Sequence, residues 1–309
     1  MNNGNHLPSE LISLILRDVD ESDLYACTLI DKSFHRESTP LLWRRLDIAT
    51  EDCLCNLTTM MKESPRSLGE LVRTVTLDGS SVTDETLLAF IKHVPFLEHL
   101  TLSYAYHVTD TSFQYVPGHC PNLTYLSIAH SPITQRSMVA IGQHCHQLAE
   151  IHLYYCRGLD TDLFTSLASG CPQLTHFKLR ECDLEGMADP QKARKAALDV
   201  QAMHQLTLLH IWDYNYDFTS FLTIQDQRPL AWPHLTELCL AVCSGIDNDD
   251  DAPLVAFIRL HPYLTFLELD KLHGSCDQFV CYHSDADENE RNNNLGVTER
   301  DLSWSIFFN

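Results

Sequence analysis

An apolar motif of the form Leu-x-x-Leu-x-Leu returns along most of the chain, and this repeat restricts the possible folds more than any other feature. Its eight copies begin at Val72, Leu97, Leu123, Leu148, Leu174, Leu206, Leu235 and Leu264. The first five copies start 25 or 26 residues apart, and the later gaps are 32, 29 and 29 residues. Because one such unit cannot bury its own apolar side, the units must stack into a solenoid.

Each unit combines a strand with a helix. The strand half alternates apolar and polar residues, as in the His-Leu-Thr-Leu-Ser of residues 99–103, and this two-residue period is that of a β-strand. The helix half opens with a polar residue that can cap the first turn, at Thr83, Thr109, Thr134 and Thr161. The pattern predicts an α/β fold: a right-handed solenoid with parallel strands on its concave face and helices on its convex face.

Half of the twelve cysteines follow the repeat. Three precede the first apolar residue of a unit by three positions, and three follow it by eight positions: Cys120, Cys145 and Cys171, then Cys156, Cys182 and Cys243. One position in a stacked repeat forms one column in space, so we expect two ladders of small, buried, reduced thiols. Disulfides or a metal site are the alternatives, but Cys53-x-Cys55 and the pair Cys276 and Cys281 lack the spacing of structural zinc sites.

Two of these cysteines stand in characteristic phrases, Cys-Pro-Asn-Leu at 120–123 and Cys-Pro-Gln-Leu at 171–174. With Cys156 and Cys182 behind them, the phrases resemble cysteine-containing leucine-rich repeats. We therefore assign residues 71–309 to a leucine-rich-repeat domain of about eight units that becomes irregular from residue 183. Four irregular features are expected: a longer convex-side helix after the fifth unit, an acidic turn at 247–251, a mobile acidic loop at 283–294, and a final half-unit containing Trp304 and Ile306.

Residues 5–47 do not fit the repeat. They begin with Leu-Pro-x-Glu-Leu from Leu7, continue with an Asp-Leu step at Asp23 and close on Leu-Trp-Arg at 42–44. This segment resembles an F-box, a small helical module. The resemblance implies docking to a Skp-family adaptor, and through it to a cullin–RING ubiquitin ligase, with contacts from Leu7, Pro8, Leu11, Ile15 and Leu16. The alternative role is a helical cap that shields the first repeat.

Residues 48–70 join the two parts. Leu54, Leu57, Met60 and Met61 lie at helical spacing, which predicts a linker with a capping helix on the first strand, since an open solenoid end would expose its core.

Composition narrows the possible partners. The formal charge of −21 disfavours nucleic acid and anionic membrane surfaces, both of which attract Lys and Arg. We expect no membrane-spanning segment and no secretory signal, and reduced thiols favour the cytoplasm, the nucleus or both. The chain contains no G-x-S-x-G, H-E-x-x-H, P-loop or dinucleotide motif, so we interpret it as a non-enzyme without cofactor or metal.

The third, fifth and seventh positions of each motif point out of the concave face. In the middle units these positions hold aromatic, imidazole and basic side chains: Tyr125, His152, Tyr154, His176, Lys178, Arg180, His210 and Trp212. Tyr, Trp and Arg often dominate protein–protein affinity, and the Lys178–Arg180 pair would suit an acidic or phosphorylated segment.

Together, the resemblances to an F-box and to leucine-rich repeats imply a function. The chain would be the substrate-recognition subunit of a Skp–cullin–F-box type ubiquitin ligase, holding a target protein on its concave face for ubiquitination and proteasomal degradation. The alternative is a leucine-rich-repeat scaffold or regulator that is not attached to a ligase.

Overall fold

Ten strands form one open sheet in strict sequence order in the computed structural model, which describes residues 7–64, 67–213, 221–222, 231–242, 257–271 and 303–307. The strands are β1 (Arg45–Ile48), β2 (Thr74–Asp78), β3 (His99–Ser103), β4 (Tyr125–Ala129), β5 (Glu150–Tyr154), β6 (His176–Arg180), β7 (Leu208–Trp212), β8 (Glu237–Val242), β9 (Phe266–Lys271) and β10 (Ser303–Phe307). Strands β1 to β9 are parallel, whereas β10 pairs antiparallel with β9.

Helices precede β1 and connect the parallel strands. Those with both ends in the described residues are α1 (Ser9–Arg17), α2 (Leu24–Thr28), α3 (Lys32–Leu42), α4 (Glu51–Glu63), α5 (Asp84–Ile91), α6 (Asp110–Phe113), α7 (Val116–His119), α8 (Gln135–His144), α9 (Asp162–Gly170) and α10 (Pro190–Gln201). Residues 257–260 are also helical. Short 3-10 turns occupy Glu21–Asp23 and Leu68–Leu71. Strand and helix alternate as expected, and the α/β leucine-rich-repeat solenoid is confirmed.

Each copy of the repeat motif supplies one strand in a common register. The central apolar residues align across the sheet without a slip, in the order Val75, Leu100, Leu126, Ile151, Phe177, Leu209, Leu238 and Leu267. All eight are completely buried beneath the sheet. A one-residue slip would turn every one of these side chains to solvent, so burial fixes the register.

The two cysteine ladders lie in this core. Cys120, Cys145 and Cys171 are buried free thiols, as are Cys156 and Cys182. Burial raises the pKa of Cys120 and of Cys171 to about 12, which keeps both protonated. The thiols of Cys120, Cys156 and Cys182 donate to carbonyl oxygens of the preceding unit, as in Cys120 Sγ to Val94 O at 3.4 Å. The prediction of buried thiols is confirmed for these five residues; Cys243, Cys276 and Cys281 lie outside the described residues.

Not every predicted N-cap residue caps its helix. Thr83 forms a capping box with Thr86, and the Thr134 hydroxyl accepts from the amide of Arg136 at 3.3 Å. Thr161 instead has a helical backbone conformation and makes no side-chain cap bond. Here the carboxylate of Asp160 accepts from the amide of Asp162 at 2.8 Å, so the cap moves one residue towards the N-terminus.

Aspartates at the starts of two helices bind the next unit. The carboxylate of Asp84 accepts from the Thr109 amide at 2.8 Å, the Thr109 hydroxyl at 2.7 Å and the Ser112 hydroxyl at 2.5 Å. Asp110 makes the same three contacts one unit later, with Thr134 and Ser137. Adjacent units are therefore joined by charge-assisted hydrogen bonds as well as by the sheet.

The sheet begins earlier than the sequence analysis assumed. Strand β1 lies in the last residues of the segment assigned to the helical module, and Leu46 and Ile48 pair in register with Val75 and Leu77. The expected capping helix exists as α4, which follows β1 as the convex helix of an additional terminal unit.

The helical module has a small core of its own. Ile12, Leu16 and Leu24 are buried there, with Phe34 and Leu42 packed beside them. A further side chain of the segment, that of Trp43, packs instead against the core of the repeats. The module is thus a separate apolar cluster attached to the solenoid through the end of α3.

The part of the chain from residue 183 onward agrees with the prediction at one helix and differs from it at the last strand. The longer helix after the fifth unit is confirmed as α10, whose Lys192, Arg194 and Lys195 are exposed. The residues around Trp304 form a strand, but it runs against its neighbour, so the final half-unit does not continue the parallel stack. The acidic turn at 247–251 and the acidic loop at 283–294 lie outside the described residues. No helix among the described residues combines the length and apolar character needed to cross a bilayer.

Candidate functional site

The register of β4 to β7 brings all eight predicted substrate-binding residues onto one surface, which we call the concave patch. Three rows run across these strands. They are Tyr125, Glu150 and His176; then Ser127, His152, Lys178 and His210; and then Ala129, Tyr154, Arg180 and Trp212. Neighbouring members of a row occupy adjacent strands, so their side chains lie within reach of one another.

One end of the concave patch is aromatic. The Tyr125 hydroxyl is 3.2 Å from Nδ1 of His152, and the two rings meet edge to face with centroids 5.2 Å apart. On its other side Tyr125 stacks on His99 at 5.6 Å. Glu150 lies 3.7 Å from Nδ1 of His176. These contacts hold the rings in place before any partner arrives, which lowers the entropy cost of binding.

The other end is cationic and aromatic. The Arg180 guanidinium lies over the Trp212 ring, 5.2 Å from its centroid, and 3.7 Å from the carboxylate of Glu181. Lys178 stands between His152 and His210 in the middle row. The Nε2 atom of His210 is 3.7 Å from Glu237, beyond hydrogen-bonding distance.

Both imidazoles beside Lys178 are neutral at pH 7. Burial, reinforced by the Lys178 charge, lowers the pKa of His152 and of His210 from 6.5 to about 4. Their Nε2 atoms are buried and have no hydrogen-bond partner among the described residues. A shielded imidazole with so low a pKa is a poor acid–base catalyst at neutral pH, so the arrangement suits binding rather than proton transfer.

A second group of aromatic side chains was missed by the sequence analysis. Tyr104, His130 and Tyr155 occupy the eighth position of their motifs, immediately after β3, β4 and β5, and their rings form what we call the aromatic stack. The signal was present in the sequence, because aromatic rings recur there at the repeat spacing. It was overlooked because only the third, fifth and seventh positions were considered.

The predicted adaptor-binding residues separate into two groups. Leu7, Leu11 and Ile15 are 46%, 46% and 45% exposed, and Pro8 is exposed as well. Leu16 is only 2% exposed because it packs in the core of the module. In this structure Leu16 therefore packs α1 against the core of the module, and its contact with an adaptor stays a prediction.

Five further apolar side chains of the module are exposed without having been predicted. They are Leu14, Tyr25, Leu29, Ile30 and Leu41. Leu11, Leu14 and Ile15 are spaced as neighbours on one face of α1, with Leu7 one turn before them. We call Leu7, Leu11, Leu14 and Ile15 the apolar stripe.

Metal binding finds no support in the described part of the chain, where no group of three or more His, Cys, Asp or Glu side chains is placed to hold an ion. All nine described cysteines are free thiols.

Among known proteins, the chain is similar to F-box proteins of a plant. F-box protein SKIP1 of Arabidopsis thaliana is 34% identical over 73 residues, 23% of this chain and 24% of that protein. Putative F-box/LRR-repeat protein 23 of the same plant is 26% identical over 219 residues, 59% of this chain and 49% of that protein. The resemblance to F-box proteins with leucine-rich repeats is confirmed.

Both F-box matches are partial. No family model matches the chain, and the matched regions span less than half of the length of these two F-box relatives. Among solved structures, the leucine-rich-repeat-containing protein LegL7 of Legionella pneumophila is 14% identical, with a TM-score of 0.43 over 83% of this chain and 80% of that one.

Proposed function

We propose that this F-box/leucine-rich-repeat-like chain is the substrate-recognition subunit of a Skp–cullin–F-box type ubiquitin ligase. In this proposal the helical module docks onto a Skp-family adaptor, and the concave patch holds a target protein for ubiquitination and degradation. Ubiquitin transfer would take place on other subunits, so the chain needs no catalytic residue. The free thiols are consistent with a reducing compartment, and we propose the cytoplasm, the nucleus or both.

The apolar stripe is the observation that carries the proposal. A module with three buried apolar residues in its core leaves four large ones exposed on α1 and just before it. Contiguous exposed apolar residues of this kind mark an interaction surface. Such a small core is also marginal on its own, which favours a module that is stabilised by a partner.

The alternative role of the module, a cap on the first repeat, fits the contacts less well. The apolar stripe stays exposed although the repeats are in place. The first repeat is instead covered by β1 and α4, whose Ile48 and Leu54 belong to the core of the solenoid. The apolar stripe therefore does not cover the end of the solenoid.

Adaptor docking can be tested with Leu11→Asp combined with Ile15→Asp. We expect the double variant to lose co-purification with a co-expressed Skp-family adaptor, with affinity reduced by about tenfold or more, because two unpaired carboxylates would be buried in the interface. The measurement is adaptor recovered per mole of tagged chain, followed by titration calorimetry.

Met60→Asp is the matched control. Met60 is an equally exposed apolar residue, 52% exposed, but it lies on α4 rather than on the module. It should leave adaptor recovery unchanged. If the double variant binds the adaptor like the wild type, the stripe is not the docking surface. If the wild-type chain itself fails to bind, the unattached scaffold becomes the better proposal.

Target capture can be tested on the concave patch with Lys178→Glu combined with Arg180→Glu. We expect this charge reversal to abolish capture of the target while adaptor docking stays intact, because the cations of the patch would become anions. Quantitative mass spectrometry of proteins retained by the tagged chain measures the loss. Lys92→Glu with Arg136→Glu, the same reversal at exposed positions on the helix side, serves as control. Retention of the same targets by the patch variant would remove these two residues from the site.

A further inference from the structure

We propose that the aromatic stack, together with Tyr106 and Arg157, docks an extended acidic segment that carries an aromatic side chain. The site lies at the edge of the concave patch, where β3, β4 and β5 end. This inference rests on the proposed function in one respect, since it takes the segment to belong to the target protein, and it specifies the chemistry of that target.

The aromatic stack has a backbone that is costly to form. Tyr104, His130 and Tyr155 all have positive φ angles, 55°, 58° and 54°. Residues other than glycine rarely adopt this left-handed backbone conformation, since it brings Cβ close to the backbone. Packing does not require rings there either, because Glu181 occupies the equivalent position of the next unit with a φ of 50°. Folding alone therefore does not explain three aromatic residues at this position.

The rings form an ordered and accessible surface. His130 lies between the two tyrosines, with centroids 5.5 Å from Tyr104 and 4.6 Å from Tyr155 and interplanar angles of 7° and 1°. Tyr106 leans on the same imidazole at 5.5 Å. Tyr104 and Tyr106 are each about half exposed. Rings that hold one another in place lose little conformational entropy when a partner binds, which is why tyrosine is common in protein-binding surfaces.

Two open depressions adjoin the stack. One, of about 430 Å³, is lined by Tyr106, His130, Ser131, Pro132, Tyr155 and Arg157. The other, of about 350 Å³, lies beside Tyr104, His130, Tyr155 and Arg180. They share the rings of His130 and Tyr155, so neighbouring side chains of one extended segment can occupy both.

Charge selects the partner. The charged residues that line the two depressions are Arg157 and Arg180, although the chain as a whole has a net charge of −21. Arg157 is exposed and forms no ion pair with any carboxylate that the structure describes. A cation left unpaired beside aromatic rings favours an anionic partner group next to an aromatic one. The other carboxylates of the protein repel such a partner only weakly, because salt screens their field beyond about 8 Å at physiological ionic strength.

The test is direct binding of defined peptides to the full-length chain alone. Fluorescence anisotropy compares three labelled peptides: Gly-Ser-Glu-Glu-Trp-Glu-Glu-Ser-Gly, the same peptide with each Glu replaced by Lys, and the same peptide with Trp replaced by Ala. We expect saturable binding of the first and at least roughly tenfold weaker binding of the other two. Tyr155→Gly and Arg157→Glu should each weaken binding of the first peptide by about tenfold.

The variants are chosen so that they fold. Tyr155→Gly removes the ring but relieves the positive φ, and its thermal stability should not fall. Tyr115→Ala and Arg136→Glu change an exposed tyrosine and an exposed arginine of the helix side and should leave binding unchanged. Equal binding of the basic peptide, equal binding by the Tyr155→Gly and Arg157→Glu variants, or no binding by the wild type would each overturn the proposal. Adaptor recovery is measured separately, so failure of this site and failure of ligase attachment give different results.

Discussion

The Gly170→Ala variant should lose about 3 kcal/mol of unfolding free energy, although it adds only one methyl group. Gly170 is the last residue of α9, where that helix approaches α8. A Cβ at this position would lie 2.1 Å from the carbonyl oxygen of Gly142 and 2.3 Å from its Cα. Both atoms belong to the backbone, so no side-chain rotation relieves the overlap, and the two helices must move apart.

The separation of α8 and α9 cannot be compensated elsewhere. In a solenoid each unit contacts only its neighbours, so stability depends on every successive interface. A Cβ on Gly142 would itself lie 2.5 Å from the Ser166 carbonyl oxygen, which shows that the close approach extends along both helices. The gap would also open the core beneath, where Met138, Ile141 and Leu167 are completely buried.

Gly118→Ala provides the matched control and the measurement. This glycine is also helical, in α7, but a Cβ there would meet only the His144 ring, at 3.9 Å. Alanine should be neutral or slightly stabilising at this position because it restricts the unfolded chain. Urea denaturation followed by far-ultraviolet circular dichroism compares the two variants with the wild type. Equal stability of all three would show that the helices are not in contact at Gly170.

The strands and the core could be predicted from the sequence because a single period controls both. A stacked repeat converts each sequence position into one column, and the apolar columns are those that must be buried. The motif starting at Leu148 therefore predicts β5 and the burial of Ile151 and Leu153. The same reasoning places the eight predicted substrate-binding residues on one surface; their role in binding stays a prediction.

The parts that escaped prediction have identifiable physical causes. Strand β1 carries the motif Trp43-x-x-Leu46-x-Ile48, but its residues were assigned to the F-box because the two patterns overlap there. The antiparallel direction of β10 could not be predicted, since alternation specifies a strand and not its direction. The burial of Leu16 was not predicted because helical spacing does not separate the buried face of a small module from its docking face.

The Asp110→Asn variant should destabilise the junction between the second and third copies of the repeat motif by about 2 kcal/mol at pH 7. Both carboxylate oxygens of Asp110 accept hydrogen bonds. The Thr134 amide donates at 2.9 Å, and the hydroxyls of Thr134 and Ser137 donate at 2.5 Å. An asparagine offers one acceptor in place of two, and its amino group faces a donor. Because Asp110 is only partly buried, we take the lower part of the range for charged hydrogen bonds.

Asp162→Asn is the control for this change. Asp162 has the same position at the start of α9, but its side chain is 62% exposed and pairs with Lys195 at 2.7 Å. Exposed ion pairs contribute about 1 kcal/mol or less. The control should therefore lose clearly less stability than Asp110→Asn, and the reverse order would contradict the importance of the inter-unit hydrogen bonds.

The stability lost in the Asp110→Asn variant should also depend on pH. Burial raises the pKa of Asp110, but the hydrogen bonds from Ser137 and Thr134 outweigh it, so the pKa lies below 3.8 in the folded protein. A lowered pKa stabilises the fold above the unfolded value of about 3.9, and the gain is lost as the pH falls through the folded pKa. The stability difference between wild type and Asp110→Asn should therefore stay constant from pH 7 to about 5 and shrink below about 4. The lowered pKa values of His152 and His210 also destabilise the fold as the pH falls from 6.5 towards 4. This effect is the same in both proteins, so it cancels in the stability difference. A difference that grows with acidity would mean that the carboxylate of Asp110 does not stabilise the folded chain.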